Sequence, residues 1–242
     1  MTRGIFVTGT DTGVGKTWVA GAIANWFRRR GANVAVLKPV ATGCVHRREG
    51  LVSEDAELLA HCADTRFPLD LICPQRYAEP LAPAIAAERA KQPLDWEAIN
   101  RSIKIMSQDS DVMIIEGIGG LLVPMDEAHT FLDAAADMKS PAVVVARPAL
   151  GTINHTLLTL AALRSRNIPI AGVVINRYPT DTPGLAEETN PRAIEKYGKA
   201  PILAIVPDTP IPKVVSPHPI PLAILDALRL VDWPRLAKLR DS

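Results

Sequence analysis

The 242-residue sequence carries 27 Lys and Arg against 26 Asp and Glu, a net charge of +1 that supplies no field for nucleic acid or an anionic membrane. A chain of this length can bury a full core in one α/β domain without disulfides or a structural metal. Its three cysteines, Cys44, Cys62 and Cys73, fall in no C-x-x-C or metal-ligand spacing and read as reduced, partly buried thiols. The first element is a strand at 5–8, with no basic region and long apolar run before it. No stretch reaches the roughly 18 apolar residues of a membrane span, so a soluble, cytoplasmic chain is expected.

Short apolar runs alternate with helix-period segments from there on. Further strands are predicted at 34–37, 112–115, 142–146, 171–175 and 202–206, each an almost unbroken apolar run of the kind found in parallel strands covered on both faces. Helices are predicted at 16–30, 54–62, 95–108, 130–138, 151–166 and 185–197. In the fifth helix Ile153, Leu157, Leu160 and Ala161 recur at helical spacing, and Arg164 and Arg166 stand at the end that favours cations. Six prolines in 207–221 exclude a helix or central strand and predict an extended connector, followed by a helical segment over 222–242. The alternation implies one α/β domain over 1–242, a doubly wound, mostly parallel sheet with helices on both faces.

The strongest chemical signal is Thr8-Gly9-Thr10-Asp11-Thr12-Gly13-Val14-Gly15-Lys16-Thr17, between the first strand and the first helix. Inward-pointing N–H groups in such a loop cradle phosphate, aided by the helix N-terminus. Glycines 9, 13 and 15 admit close backbone approach, Lys16 suits the β- and γ-phosphates, and the Thr17 hydroxyl suits Mg²⁺. The strict G-x-x-x-x-G-K-[ST] pattern would place glycine at position 10, where Thr10 stands, so this loop is one residue longer than the rule.

Three more residues converge on that loop. Lys38 ends the second strand and Glu116 ends the third, and parallel strands end at the ligand crevice. Asp55 opens a helix after a polar loop. Thr17, Asp55 and Glu116 thus offer hard oxygen ligands of the type Mg²⁺ prefers. The glycines beyond Glu116 allow a backbone to approach phosphate.

These residues, with Lys38-Pro39-Val40-Ala41-Thr42-Gly43, Glu79-Pro80-Leu81-Ala82-Pro83, Glu116-Gly117-Ile118-Gly119-Gly120 and Leu150-Gly151-Thr152-Ile153-Asn154-His155, resemble the dethiobiotin synthase family in order from residue 5 to about 207. The longer phosphate loop is part of that family's pattern. The resemblance implies a P-loop NTPase-type fold, a homodimer, ATP as co-substrate, Mg²⁺, and conversion of 7,8-diaminononanoate and CO₂ to dethiobiotin. It implies that Thr12, Lys16 and Lys38 serve the reaction and that Thr12, Lys38 and Thr42 hold the carbamate and diamine. Gly151, Thr152, Ile153 and Asn154 would receive the remote carboxylate, from across the dimer. Gly13, Val14, Gly15, Lys16, Thr17, Trp18, Asp55, Glu116, Gly117, Ile118 and Gly119 would surround the nucleotide, with Asn176, Arg177, Pro207 and Asp208 at its base. Ala82 departs from a substrate-contacting serine of some members, and Ile118 from the commoner alanine.

Two rival enzyme and switch readings fare worse. A glutamine-dependent synthetase needs an ammonia source, and no Cys-His-Glu glutaminase follows before Ser242. A nucleotide-switch ATPase of the septum-positioning type carries an extra lysine early in its loop, where this chain has Thr10, Asp11, Thr12 and Gly13.

Overall fold

The structure is a computed structural model and describes residues 3–210 and 220–238. The chain opens with β1 (Gly4–Gly9), α1 (Lys16–Arg28), β2 (Val34–Leu37), β3 (Val40–Ala41) and the hairpin β4 (Val45–Arg47) and β5 (Gly50–Val52). Then come α2 (Glu54–Ala63), α3 (Leu69–Ile72), β6 (Gln75–Arg76), α4 (Pro83–Ala90), α5 (Trp96–Gln108) and β7 (Val112–Glu116). The second half contains α6 (Phe131–Met138), β8 (Ala142–Ala146), α7 (Thr152–Ser165), β9 (Ile170–Tyr178), α8 (Leu185–Gly198) and β10 (Ile202–Pro207). Two short helices follow, α9 (Leu222–Leu228) and α10 (Trp233–Leu236).

Six strands form one parallel sheet in the order β10-β9-β8-β1-β7-β2. Every residue of β1, β2, β7 and β8 is buried, which is why their sequences run apolar without alternation. The chain leaves β1 in one direction for β2 and β7, then moves to β8, β9 and β10 on the other side. Right-handed crossovers in opposite directions place helices on opposite faces. Accordingly α1 packs with α2 and α9, whereas α7 packs with α8 and against β8. The order reverses beside β1, and a ligand crevice opens at such a point beyond the strand C-termini.

All six predicted main-sheet strands are present, and so are the six predicted helices, with ends shifted by a few residues. The connector expected over 207–221 begins within the sheet instead, because Pro207 closes β10 and pairs with Tyr178. Residues 211–219 of that connector lie outside the described residues, as do 239–242 of the expected terminal helix. The described part of that helix is broken in two. Asp232 caps α10 by accepting from the Arg235 N–H at 3.2 Å, and Trp233 is fully buried with its indole N–H on the Leu228 carbonyl at 3.0 Å. A cap and a buried anchor end one helix and begin another. No helix among the described residues is long and apolar enough to cross a membrane.

Candidate active site

The phosphate loop leaves β1 along its neighbours. The Thr10 N–H donates to Val145 O at 3.0 Å, and Gly117 N–H donates to Val7 O at 2.9 Å, so strand pairing holds both flanks of the crevice. Gly15 sits at φ 95 as the N-cap of α1, and a Cβ there would lie 2.0 Å from Asn176 Nδ2. Only glycine fits that close approach. Asn176 itself is buried and donates to Val14 O at 2.8 Å, buttressing the loop from below. With no side chain capping α1, the first-turn N–H groups stay available to an anion.

Lys38 is delivered by the end of β2, where its own N–H bonds Ile72 O of α3 at 2.7 Å. Its Nζ lies 2.7 Å from Asp55 Oδ2 and 2.7 Å from Glu116 Oε1. The hairpin β4–β5 and the Ser53 cap, which accepts from Ala56 N–H at 3.2 Å, bring Asp55 to this point at the start of α2. Glu116 Oε1 also accepts from the Thr17 hydroxyl at 2.9 Å. Burial opposes the charge on Lys38, and the carboxylates of Glu116 and Asp55 more than offset it, so its pKa is raised and it remains an ammonium. Burial also acts on Asp55, but the Lys38 ammonium outweighs it and lowers the pKa. Glu116 is 1% exposed; burial pushes its carboxyl up against the pull of Lys38.

Lys16 donates to the Asp11 carbonyl at 3.0 Å. Burial lowers its pKa to about 8, with Lys38 adding repulsion and Glu116 countering it. Lys16 and Lys38 therefore share one cavity with the acidic groups of Asp55 and Glu116.

These groups face a cavity of about 270 Å³ lined by Thr12, Gly13, Gly15, Lys16, Thr17, Trp18, Lys38, Thr42, Asp55, Glu116, Ile118, Gly119 and Arg177, together with Ala41. All of them except Ala41 are residues predicted from the sequence. Val14, fully buried, and Gly117 lie behind this lining. Arg177 holds a left-handed φ of 60 at the end of β9, and Asp208 N–H donates to Tyr178 O beside it at 2.8 Å. Pro207 and Asp208 thus adjoin the cavity without lining it. Ala82 caps α4 outside the lining.

Gly151, Thr152, Ile153 and Asn154 also stand apart from the cavity, at the N-terminus of α7. Gly151 caps that helix at φ 93 with no side-chain cap, and the buried Thr152 hydroxyl has no hydrogen-bond partner. The sequence reading missed Asp11, Arg147 and Asn190. Arg147 donates to Thr12 O at 3.0 Å, and Asn190 donates to Pro148 O at 2.6 Å. Arg147 directly follows β8, so the strand-end rule that found Lys38 and Glu116 would have found it too.

For Mg²⁺ the fit is good in kind. Among the described residues no three His, Cys, Asp or Glu side chains cluster as a metal site, but Thr17, Asp55 and Glu116 supply a hydroxyl and two carboxylates. Glu116 Oε2 is buried without a partner, an oxygen that a hard cation would satisfy.

A family model described as an AAA domain matches residues 3–216. An ATP-dependent dethiobiotin synthetase BioD of Thermodesulfovibrio yellowstonii is 38% identical over 214 residues, covering 86% of this chain and 89% of the relative. The chain belongs to the dethiobiotin synthetase family. The Anaeromyxobacter dehalogenans (strain 2CP-C) BioD is 42% identical over 76% of this chain and 81% of its own. The Bacillus velezensis BioD is 38% identical over 85% and 86%. Among solved structures, the Aquifex aeolicus MinD cell division protein matches with a TM-score of 0.56 at 18% identity, over 99% of this chain and 98% of that one. MinD complexed with Mg-ADP from Pyrococcus horikoshii OT3 matches at 0.54 and 19%, over 98% and 95%. Those likenesses establish a shared P-loop fold; the synthetase relatives carry the family assignment.

Proposed function

We propose that this chain is an ATP-dependent dethiobiotin synthetase that joins 7,8-diaminononanoate and CO₂ into the cyclic urea of dethiobiotin, releasing ADP and phosphate. The observation that carries the reading is Lys38, an ammonium 2.7 Å from both Asp55 and Glu116 in the cavity shared by Lys16, Thr12 and Thr42. A phosphate loop alone does not select a reaction. A second buried lysine beside it provides for a second anion next to the triphosphate.

An amine of the substrate adds to CO₂ and loses a proton, giving a carbamate. A carbamate oxygen attacks the γ-phosphoryl and ADP departs. The second amine then attacks the carbamoyl carbon, and phosphate leaves as the ring closes. No covalent enzyme intermediate is needed, so positioning and charge compensation are what the residues must supply. Thr12 and Lys38 hold the carbamate, Thr42 the diamine, and Lys16 the β- and γ-phosphates. Fixed ammonium groups oppose the charge that develops between carbamate and phosphoryl oxygens. Mg²⁺, held by Thr17, Asp55 and Glu116, would neutralise phosphate charge when bound. Arg177 lines the side of the cavity assigned to the adenine, with Asn176, Pro207 and Asp208 adjoining it. The α7 N-terminus, with its uncapped N–H groups and free Thr152 hydroxyl, receives the substrate's remote carboxylate.

We read the chain as one nucleotide-binding unit working as a cytoplasmic homodimer. The test is product identification by mass spectrometry after incubation with diaminononanoate, bicarbonate and Mg-ATP. Dethiobiotin and ADP formed one to one are expected; ADP release that ignores the diamine would overturn the reading.

A further inference from the structure

At the tip of the phosphate loop, the Thr12–Gly13 peptide is gripped from outside the loop. Arg147 Nη2 donates to the Thr12 carbonyl at 3.0 Å and lies 3.5 Å from Asp11 Oδ2. Asp11 Oδ1 in turn accepts the Thr12 N–H at 2.8 Å. In a trans peptide the C=O and N–H point in opposite directions. A Thr12 carbonyl held toward Arg147 therefore turns the Gly13 N–H to the other side. Gly13 lines the cavity and Arg147 does not.

Nothing in the loop itself enforces that orientation. Gly13 has φ 73 with open space where a Cβ would be, and glycine occupies positive and negative φ with similar ease. A flip of this one peptide would present a carbonyl oxygen to phosphate in place of an N–H donor, exchanging attraction for repulsion. The clamp is anchored elsewhere. Arg147 follows β8, whose Val145 carbonyl accepts the Thr10 N–H at 3.0 Å. The next two carbonyls, of Pro148 and Ala149, accept from the buried Asn190 amide at 2.6 and 3.3 Å.

We propose, on the nucleotide reading of the cavity given above, that Arg147 is a positioning residue which holds the Thr12–Gly13 peptide with its N–H toward the bound phosphates. It acts through the loop backbone and touches neither substrate. Alanine at position 13 is strained at positive φ, so Gly13→Ala biases the same peptide the wrong way without touching Arg147.

The experiment is calorimetric Mg-ATP binding to wild type, Arg147→Ala, Arg147→Lys, Gly13→Ala and the double variant Arg147→Ala/Gly13→Ala. Loss of this charge-assisted bond should weaken binding about tenfold in Arg147→Ala, at a stoichiometry near one. Lysine, which keeps a donor, should recover most of the affinity. The double variant should bind no worse than the weaker single, because both changes free one peptide. Unchanged affinity in Arg147→Ala, a lower melting temperature alone, or losses that multiply in the double variant would each overturn the role. If Arg147→Ala fails to fold, Arg147→Met, which keeps the aliphatic stem without a donor, carries the same comparison with Arg147→Lys. A wild type that binds Mg-ATP but makes no dethiobiotin would sink the synthetase reading while leaving this comparison intact.

Discussion

On the proposed reaction Lys38 is the residue on which the chemistry turns, and its ion pairs with Asp55 and Glu116 show which two carboxylates its removal would leave unpaired. Lys38→Gln keeps length and polarity but withdraws the charge that opposes the developing anion. A preorganised contact of this kind is worth ~3–4 kcal/mol, or two to three decades in kcat. Calorimetric ATP affinity should fall far less, since Lys16 remains; a collapse of ATP binding with normal turnover at saturation would move Lys38 to the nucleotide site. A second residue governs the loop beyond Glu116. Asp126 accepts from Trp96 Nε1 at 2.6 Å, Ala128 N–H at 2.8 Å and His129 N–H at 2.7 Å. Burial alone would raise its pKa, but those donors outweigh it and depress it to about 2. A depressed carboxyl contributes stability that is complete above its unfolded pKa, roughly 4, and is lost as pH falls toward 2. Asp126→Asn should therefore cost about 1–2 kcal/mol at neutral pH, with the gap to wild type closing below pH 4 in thermal melts. An equal gap at pH 7 and pH 2.5 would refute it.

At the scale of elements, the first helix of the nucleotide site and α7 share a feature that α2 and α5 lack. Ser53 and Asp95 cap α2 and α5 with side-chain oxygens, whereas Gly15 and Gly151 leave α1 and α7 open at positive φ. If α7 receives the remote carboxylate, a diamine without that group should show a kcat/KM at least tenfold lower, because remote binding energy supports positioning at the reacting centre. Equal kcat/KM for the two diamines would remove α7 from the site. The parallel strands were legible in the sequence because burial on both faces writes an unbroken apolar run. The hairpin β4–β5 was not, since no residue of β4 is buried and its Val45-His46-Arg47 carries no alternation to read. The helix α4 spans one short stretch opened by Pro83, too brief for a periodic signal. The break before α10 was written in Asp232-Trp233-Pro234, a cap followed by a first-turn proline, which a single helical segment over 222–242 overlooked. Lys38, Glu116 and Thr17 could be found because strand ends and loop spacing define a place. Arg147, at the end of β8, was open to the same rule, but its partner is the Thr12 carbonyl, and a backbone partner leaves no motif to say what the side chain does there.

On the scale of the whole molecule, the strand C-termini gather the phosphate loop, Lys38, Glu116, Arg147 and Arg177 along one rim. The α7 N-terminus stands off the cavity within one chain, so the carboxylate role proposed for it requires a second copy to bring it to the site. Leu150, Leu158 and Leu185, at 89%, 61% and 82% exposed, lie on or just before α7 and α8. Sedimentation should give a mass of about twice the 26.1 kDa chain. Leu158→Arg should shift it to monomer and lower kcat/KM for the diamine more than ATP affinity. A dimer that persists in that variant with full activity would place the interface elsewhere.

The three cysteines are all buried, and burial pushes the Cys62 and Cys73 thiols up to about 12. Thiolate is the form that reacts with alkylating labels, so the native thiols are chemically quiet. The opposite rim, where β7 begins after the exposed Gln108, carries none of the reacting groups. A cysteine introduced at Gln108 would then be the one ready handle on the surface. A dye or a solid support attached there would leave the cavity facing outward, so the enzyme can be tethered in a single orientation without blocking its own substrates.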